Sequence, residues 1–470
     1  MQLVRIKNQV KGESIMSENI SRRDFLSIVG ASVSSISLLK GDNHKSSQDS
    51  PNIIWLMADD AGLQDFGCYG HPVLKTPNID KLAREGVKFT QAFVTSPQCS
   101  PSRTSCFTGK YAHTMGTEDL HSPLPESEKV LPQYLKPRNY YTGNVGKLHL
   151  GKDAKDKFDF IMKDVDKWRK FLRERPKNRP FFLCLGYHEP HRPYKIKRNS
   201  KEYQKDDTVV PPYLPDKKRV RKDLARYYNQ IHKLDTRVGK ILQALEKRNL
   251  AENTIVLFWS DNGPPFPRAK GFLYDTGIAT PLIIRWKEKL EPGIRRGLVS
   301  IVDFVPTMLD MVDIDIPDEI QGKSFYKHLK GENHSFRDYI FTERNWHDLD
   351  DHVRSVRTNR YKYIRNYYPD EPYTLPSDVF GSPTFKAMKK AWNNNNLPYR
   401  KRLLFKRKPR EELYDLQNDP NEFYNLVNRE GYQDIKYNLK KRVEKWEERT
   451  DDVPISKTKK DNYNPKKILK

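Results

Sequence analysis

The sequence predicts an α/β protein with a large mixed, mostly parallel sheet flanked by helices, followed by a smaller C-terminal α+β subdomain containing an antiparallel sheet. Three observations predict it. Short continuous apolar runs recur between helical stretches, as expected of strands buried on both faces; examples are Asn52 to Met57, Pro180 to Gly186 and Thr254 to Trp259. Two of these runs end in polar pairs, Asp59-Asp60 and Asp261-Asn262, and open α/β sheets collect ligands at the carboxyl ends of their strands. The last third changes to alternating segments, Tyr339 to Glu343, Val353 to Arg357 and Tyr361 to Arg365, which read as antiparallel strands.

The chain of 470 residues suits two domains, or one large domain and a satellite. Its 36% hydrophobic content is low but enough for a core. Lysine and arginine outnumber the acids 85 to 61, a net charge of +24 that favours polyanionic partners. Nucleic acid is the generic choice, but no nucleic-acid motif is present and none is expected as a partner. A sulfated or uronate-rich polysaccharide would use the same field. Cys68, Cys99, Cys106 and Cys184 are not spaced as a zinc set and imply no disulfide framework.

Ser21-Arg22-Arg23-Asp24-Phe25-Leu26 precedes a modest apolar run from Ile28 to Leu39. This resembles a bacterial twin-arginine export signal. The run is too short to span a bilayer and no cysteine follows it, so a stable membrane anchor is not expected. Met16 competes with Met1 as the initiator. We assign residues 1–48 to signal and linker, 49–330 to a catalytic domain, 331–455 to a C-terminal subdomain and 456–470 to a basic tail, and expect a periplasmic protein.

Taken in order, Asp59 and Asp60 repel each other unless a cation lies between them, and hard oxygen ligands suit calcium; a turn or helix cap is the structural alternative. Thr76 to Ala83 reads as a loop entering a helix that stops at Gly86. Phe89 to Val94 is a second strand. Pro101 lets a helix begin just past Cys99, placing that cysteine near a helix N-terminus, which favours anions. Arg103 is one turn further in, and Cys106 belongs to the core. Tyr140 to Val145 is the next strand. In an extended continuation Lys147 and His149 share a face, offering a fixed cation and a titratable imidazole, or merely a polar surface. His188, His191 and Arg192 at the end of the Pro180 strand read as anion chemistry, with metal binding as the rival. Asp223 to Arg248 carries one apolar helical stripe. Lys270, nine residues after Asp261, is the next candidate cation, with Arg268 as its runner-up. Pro281 to Trp286 is a further strand, and Leu439 to Glu448 a terminal helix.

Cys99-Ser100-Pro101-Ser102-Arg103, followed by Thr108-Gly109-Lys110-Tyr111 and preceded by Asp59-Asp60, resembles the signature of type I sulfatases in the alkaline-phosphatase-like superfamily. The resemblance implies that Cys99 is oxidised to Cα-formylglycine (3-oxoalanine) by a formylglycine-generating enzyme. The aldehyde hydrate then offers one hydroxyl to attack sulfur and a second to expel sulfate. It further implies that Asp59, Asp60, Asp261, Asn262 and the modified Cys99 hold Ca2+, and that Arg103 steadies the hydrate. By the same resemblance, Lys147 and Lys270 would bind sulfate, His191 would contact it and protonate the leaving oxygen, and His149 would assist sulfate expulsion. His188, Arg192 and Arg268 are left as substrate contacts. Tyr187 to Arg192, Ser260 to Pro267 and Gly381 to Phe385 resemble the sulfamidase (heparan N-sulfatase) branch most, but Lys270 stands where that branch has arginine. The expected substrate is an O-sulfate ester of an algal polymer such as ulvan. The alternatives are an N-sulfoglucosamine sulfohydrolase, a phosphodiesterase or phosphonate hydrolase of the same superfamily, and a non-catalytic glycan-binding protein.

Overall fold

The apolar runs fold into nine strands of one sheet: β1 (Asn52–Asp59), β2 (Val87–Phe93), β3 (Tyr141–Gly146), β4 (Phe160–Met162), β5 (Phe181–Pro190), β6 (Thr254–Ser260), β7 (Ala279–Arg285), β8 (Gly293–Arg295) and β9 (Val299–Ser300). The computed structural model describes residues 50–151, 153–194, 202–332, 335–369 and 371–452. The expected export signal and basic tail lie outside them. The strand order is β4-β3-β5-β1-β6-β7-β2-β8, with β9 beside β2. Among the described residues β7 alone runs against the others.

That common direction positions the site. β1 lies between β5 and β6; the chain leaves it for β2 on one side and then crosses to β3 on the other, so its carboxyl end is a topological switch point. The carboxyl ends of β1, β2, β3, β5 and β6 therefore open on the same edge. They deliver, in turn, Asp59-Asp60, the loop to Cys99, Lys147, His188 to His191, and Asp261-Asn262. The central strands hold this edge firmly because β6 and β7 are buried at every residue. The Lys218–Glu246 helix packs its apolar stripe, including Leu224, Tyr227, Ile231, Leu234, Val238 and Ile241, against the core.

The last third forms a second, antiparallel sheet of β10 (Tyr339–Arg344), β11 (Val353–Thr358), β12 (Tyr361–Asn366) and β13 (Glu411–Asp415). The Gln433–Arg449 helix packs on it through Leu439, Val443 and Trp446. Lys362 on β12 reaches back to the first sheet's loops: its buried ammonium lies 2.6 Å from Asp275 and 2.7 Å from Glu422, and donates to the Leu273 carbonyl. No helix among the described residues is long and apolar enough to cross a membrane.

Three local expectations need correction. The chain from Gly146 to His149 is not extended, because Gly146 and His149 take φ of 99° and 64°. The expected shared face of Lys147 and His149 therefore does not hold. β5 continues through His188 to Pro190, so His188 is a strand residue, and its side chain is exposed. The helix of the cysteine segment begins at Cys99 itself, with Gln98 as its N-cap residue.

Candidate active site

Cys99 stands at the first position of a ten-residue helix whose every residue is buried. Its thiol lies 3.4 Å from Asp59 and 3.8 Å from Asp60. Burial pushes this thiol well above its usual range, against the fields of Lys147 and Lys270. A reactive cysteine is a thiolate, so the unmodified side chain is a poor nucleophile.

Three fixed cations and one imidazole surround it. Arg103, fully buried, donates from Nε to Asp261 at 2.7 Å and from Nη1 to the Lys147 carbonyl at 2.7 Å. Lys147 Nζ is 2.7 Å from Asp59. Lys270 Nζ donates to Asp60 at 2.9 Å and to Asp378 at 3.0 Å. His191 donates from Nδ1 to the Arg192 carbonyl, which turns Nε2 toward Asp60 at 3.8 Å and Asp378 at 4.0 Å. Burial works to raise the Asp59 carboxyl, but Lys147, His191, Arg103 and Lys270 outweigh it and hold it well below the usual carboxylate range. Burial opposes the charge on Lys270, yet Asp378 and Asp60 hold its ammonium well above the usual lysine range.

Two glycines bring Lys147 in. Gly146 has positive φ, and a Cβ there would lie 2.1 Å from the Gly186 carbonyl oxygen. A Cβ on Gly186 would lie 2.0 Å from the Lys147 carbonyl oxygen. The backbones cross so closely that Lys147 N donates to Gly186 O at 2.8 Å. The turn out of β3, and not strand alternation, thus aims Lys147 at Asp59.

One cluster of donor atoms that could hold a metal ion overlaps the expected set. Donor atoms of Asp59, Asp60, Cys99 and His191 lie within 4.8 Å of one another. His191 joins this group, whereas Asp261 stands beside it: Asp261 Oδ1 accepts from Asp60 N at 3.1 Å, and its other oxygen is held by Arg103. Burial raises the Asp261 carboxyl to about 6. Asn262 donates from Nδ2 to Asp60 at 2.8 Å, while its Oδ1 is buried with no partner among the described residues. Buried oxygens are rarely left so, and an oxygen acceptor beside three carboxylates fits a hard cation.

Two expected substrate contacts are structural instead. Arg192 forms a bidentate pair with Asp223 at 2.9 and 2.8 Å and donates from Nε to the Pro265 carbonyl. Arg268 donates to the carbonyls of Asn421 and Glu422, clamping its loop to the C-terminal subdomain. Lys270, not Arg268, enters the site. Asp378 was missed: a lone acid in a non-periodic segment carries no sequence signal, and only tertiary contact brings it to Lys270.

A model of the family described as Sulfatase matches residues 51–314. The chain belongs to the sulfatase family. A second model, N-sulphoglucosamine sulphohydrolase, C-terminal, matches residues 268–396, which include both Lys270 and Asp378. This sulfatase is 31% identical to an ulvan-active sulfatase of Formosa agariphila, across 85% of this chain and 75% of that one. It is 29% identical to human N-sulphoglucosamine sulphohydrolase, across 85% and 90% of the two chains. Its fold is similar to that of the phosphonate monoester hydrolase of Agrobacterium radiobacter, with a TM-score of 0.66 at 18% identity over 85% and 96% of the chains. The expected fold class and the expected sulfuric ester hydrolase are thereby borne out.

Proposed function

We propose that this sulfatase removes sulfate from a sulfated glycan, with O-sulfate esters of an algal polymer such as ulvan as the substrate class, using a formylglycine at position 99 and calcium. The observation that carries the proposal is the placement of Cys99. It is buried, 3.4 Å from Asp59, inside a ring of Arg103, Lys147, His191 and Lys270. Similarity to ulvan-active sulfatases and the strong net positive charge support the substrate.

Asp59, Asp60, residue 99, Asn262 and Asp261 would hold calcium. Calcium would supply fixed positive charge there, and hydrated formylglycine would supply the attacking hydroxyl. The chain's own residues do the rest. Asp59, Asp60, Asp261 and Asp378 face Arg103, Lys147 and Lys270, four carboxylates against three fixed cations. A divalent cation makes that balance positive, as an anionic substrate requires. Arg103 orients position 99 from within the same helix. Lys147 and Lys270 neutralise sulfate oxygens, at groups already ordered before substrate arrives. His191, with Nδ1 committed to the Arg192 carbonyl, offers Nε2 to the leaving oxygen. His149 serves as the base toward position 99.

Residues 49–330 carry most of this site, and the 331–455 subdomain contributes Asp378. The twin-arginine motif supports export to the periplasm, and the Cys99 segment supports a formylglycine-generating partner. A second substrate, N-sulfoglucosamine, is favoured by the match over residues 268–396. Sulfate release from ulvan fragments, other algal sulfated glycans and N-sulfated heparin fragments tests the choice. Release from an algal ester supports the proposal, and release from N-sulfoglucosamine alone replaces the substrate. Faster turnover of phosphate or phosphonate esters would overturn it.

A further inference from the structure

We propose that His121, which lies in the loop after the Cys99 helix, is a positioning residue that makes His149 work through its Nδ1 nitrogen. This rests on the sulfatase mechanism proposed above, in which His149 is the base toward position 99.

Two loops converge to make the pair. His121 Nδ1 lies 2.7 Å from His149 Nε2, and the ring centroids are 4.8 Å apart. Both residues hold the left-handed backbone, with φ of 69° and 64°. Histidine enters that region more readily than most residues, but two facing each other is a costly arrangement that surrounding contacts must enforce. One such contact is visible. His121 N donates to Ser100 Oγ at 2.8 Å, tying His121 to the residue next to Cys99. His121 is exposed, whereas His149 Nδ1 is buried and has no partner among the described residues.

The chemistry follows from proton counting. Two ring nitrogens in contact share one hydrogen, so His149 Nε2 is engaged whichever ring carries it. Nδ1 is then the nitrogen of His149 left for the reaction. A base must present a bare nitrogen, which places the His149 proton on Nε2, donating to His121 Nδ1. That leaves Nδ1 bare, as a base toward a hydroxyl that position 99 would carry requires.

Two substitutions test this. His121→Ala removes the acceptor. His121→Asn keeps an oxygen near the Nδ1 position and tolerates the left-handed backbone. With full-length protein and any substrate it turns over, His121→Ala should lower kcat by at least about tenfold with KM within about twofold, and Asn should recover most of the loss. Histidine-selective 15N NMR, with His149 assigned through His149→Gln, should show the Nε2–H form of His149 in wild type and in His121→Asn. In His121→Ala that form should be lost or mixed. Equal kcat in all three proteins, or an Nδ1–H form of His149 in wild type, overturns the assignment. If wild type releases no sulfate from any substrate, the proposed function fails, and the NMR result still decides the role of His121.

Discussion

Lys270 lies 2.9 Å from the carboxylate of Asp60, and both side chains are buried. Asp378, from the second subdomain, holds the other side of the same ammonium at 3.0 Å. A cation so fixed at the edge of a carboxylate cluster is ordered in advance for an anion. Lys270→Ala should therefore lower kcat/KM by about 10²- to 10³-fold, the usual effect of removing one preorganised donor to developing negative charge. Steady-state sulfate release checks this, and a loss under threefold (about half of the kcal/mol that a tenfold change represents) would remove Lys270 from the site.

Calcium should bind where Asn262 Oδ1 lacks a partner. Adding calcium to chelator-stripped protein should raise the thermal midpoint, because an ion that binds only the folded state stabilises it by about 2.7 kcal/mol at a hundred times Kd. Asp60→Ala and Asn262→Ala should weaken that rise. A midpoint indifferent to calcium in wild type would contradict the donor set.

Acid should destabilise the fold through His71. Its Nδ1 accepts from Val73 N at 3.1 Å and Leu74 N at 2.7 Å, and Nε2 contacts the Tyr228 hydroxyl at 3.0 Å. Burial pulls this imidazole down to about 4. The unfolded chain thus binds a proton before the folded one does, and stability falls as pH drops from the ordinary histidine range through about 4. His71→Asn keeps an acceptor that does not titrate. Denaturant unfolding across this window should show a shallower acid slope for the variant, and identical slopes would refute the assignment.

Lys362 joins the two sheets by bridging Asp275 and Glu422 with no exposed side-chain surface. Lys362→Met would leave the buried Glu422 without its ammonium and the half-buried Asp275 with Arg357 alone, 3.0 Å away. The expected cost is about 3–5 kcal/mol, the range for breaking one side of a buried ion pair. Urea unfolding measures it, and a loss below about 1 kcal/mol, the scale of an exposed pair, would show that Arg357 and Arg268 suffice.

The strands were legible because a doubly covered sheet needs uninterrupted apolar runs, and β1, β5 and β6 have them. The reversed direction of β7 was not, since Pro281 to Trp286 is apolar whichever way it runs. β13 was hidden because its two glutamates interrupt the alternation, and the pairing is supplied by β12. At the site, Asp59, Asp60, Cys99, Arg103, Lys147, His191 and Lys270 were recognisable from motif context. Arg192 and Arg268 misled because a guanidinium near an anion site looks the same in sequence whether it meets substrate or a partner such as Asp223. Asp378 and His121 gain their places only through tertiary contact.

The most direct test of the account is sulfate release by matured wild-type protein beside Cys99→Ser, assayed on the same sulfated glycan fragments. The account predicts release by wild type and background release by Cys99→Ser, with urea unfolding unchanged in the variant. Near wild-type release by Cys99→Ser would contradict it, because the reaction would then not pass through position 99.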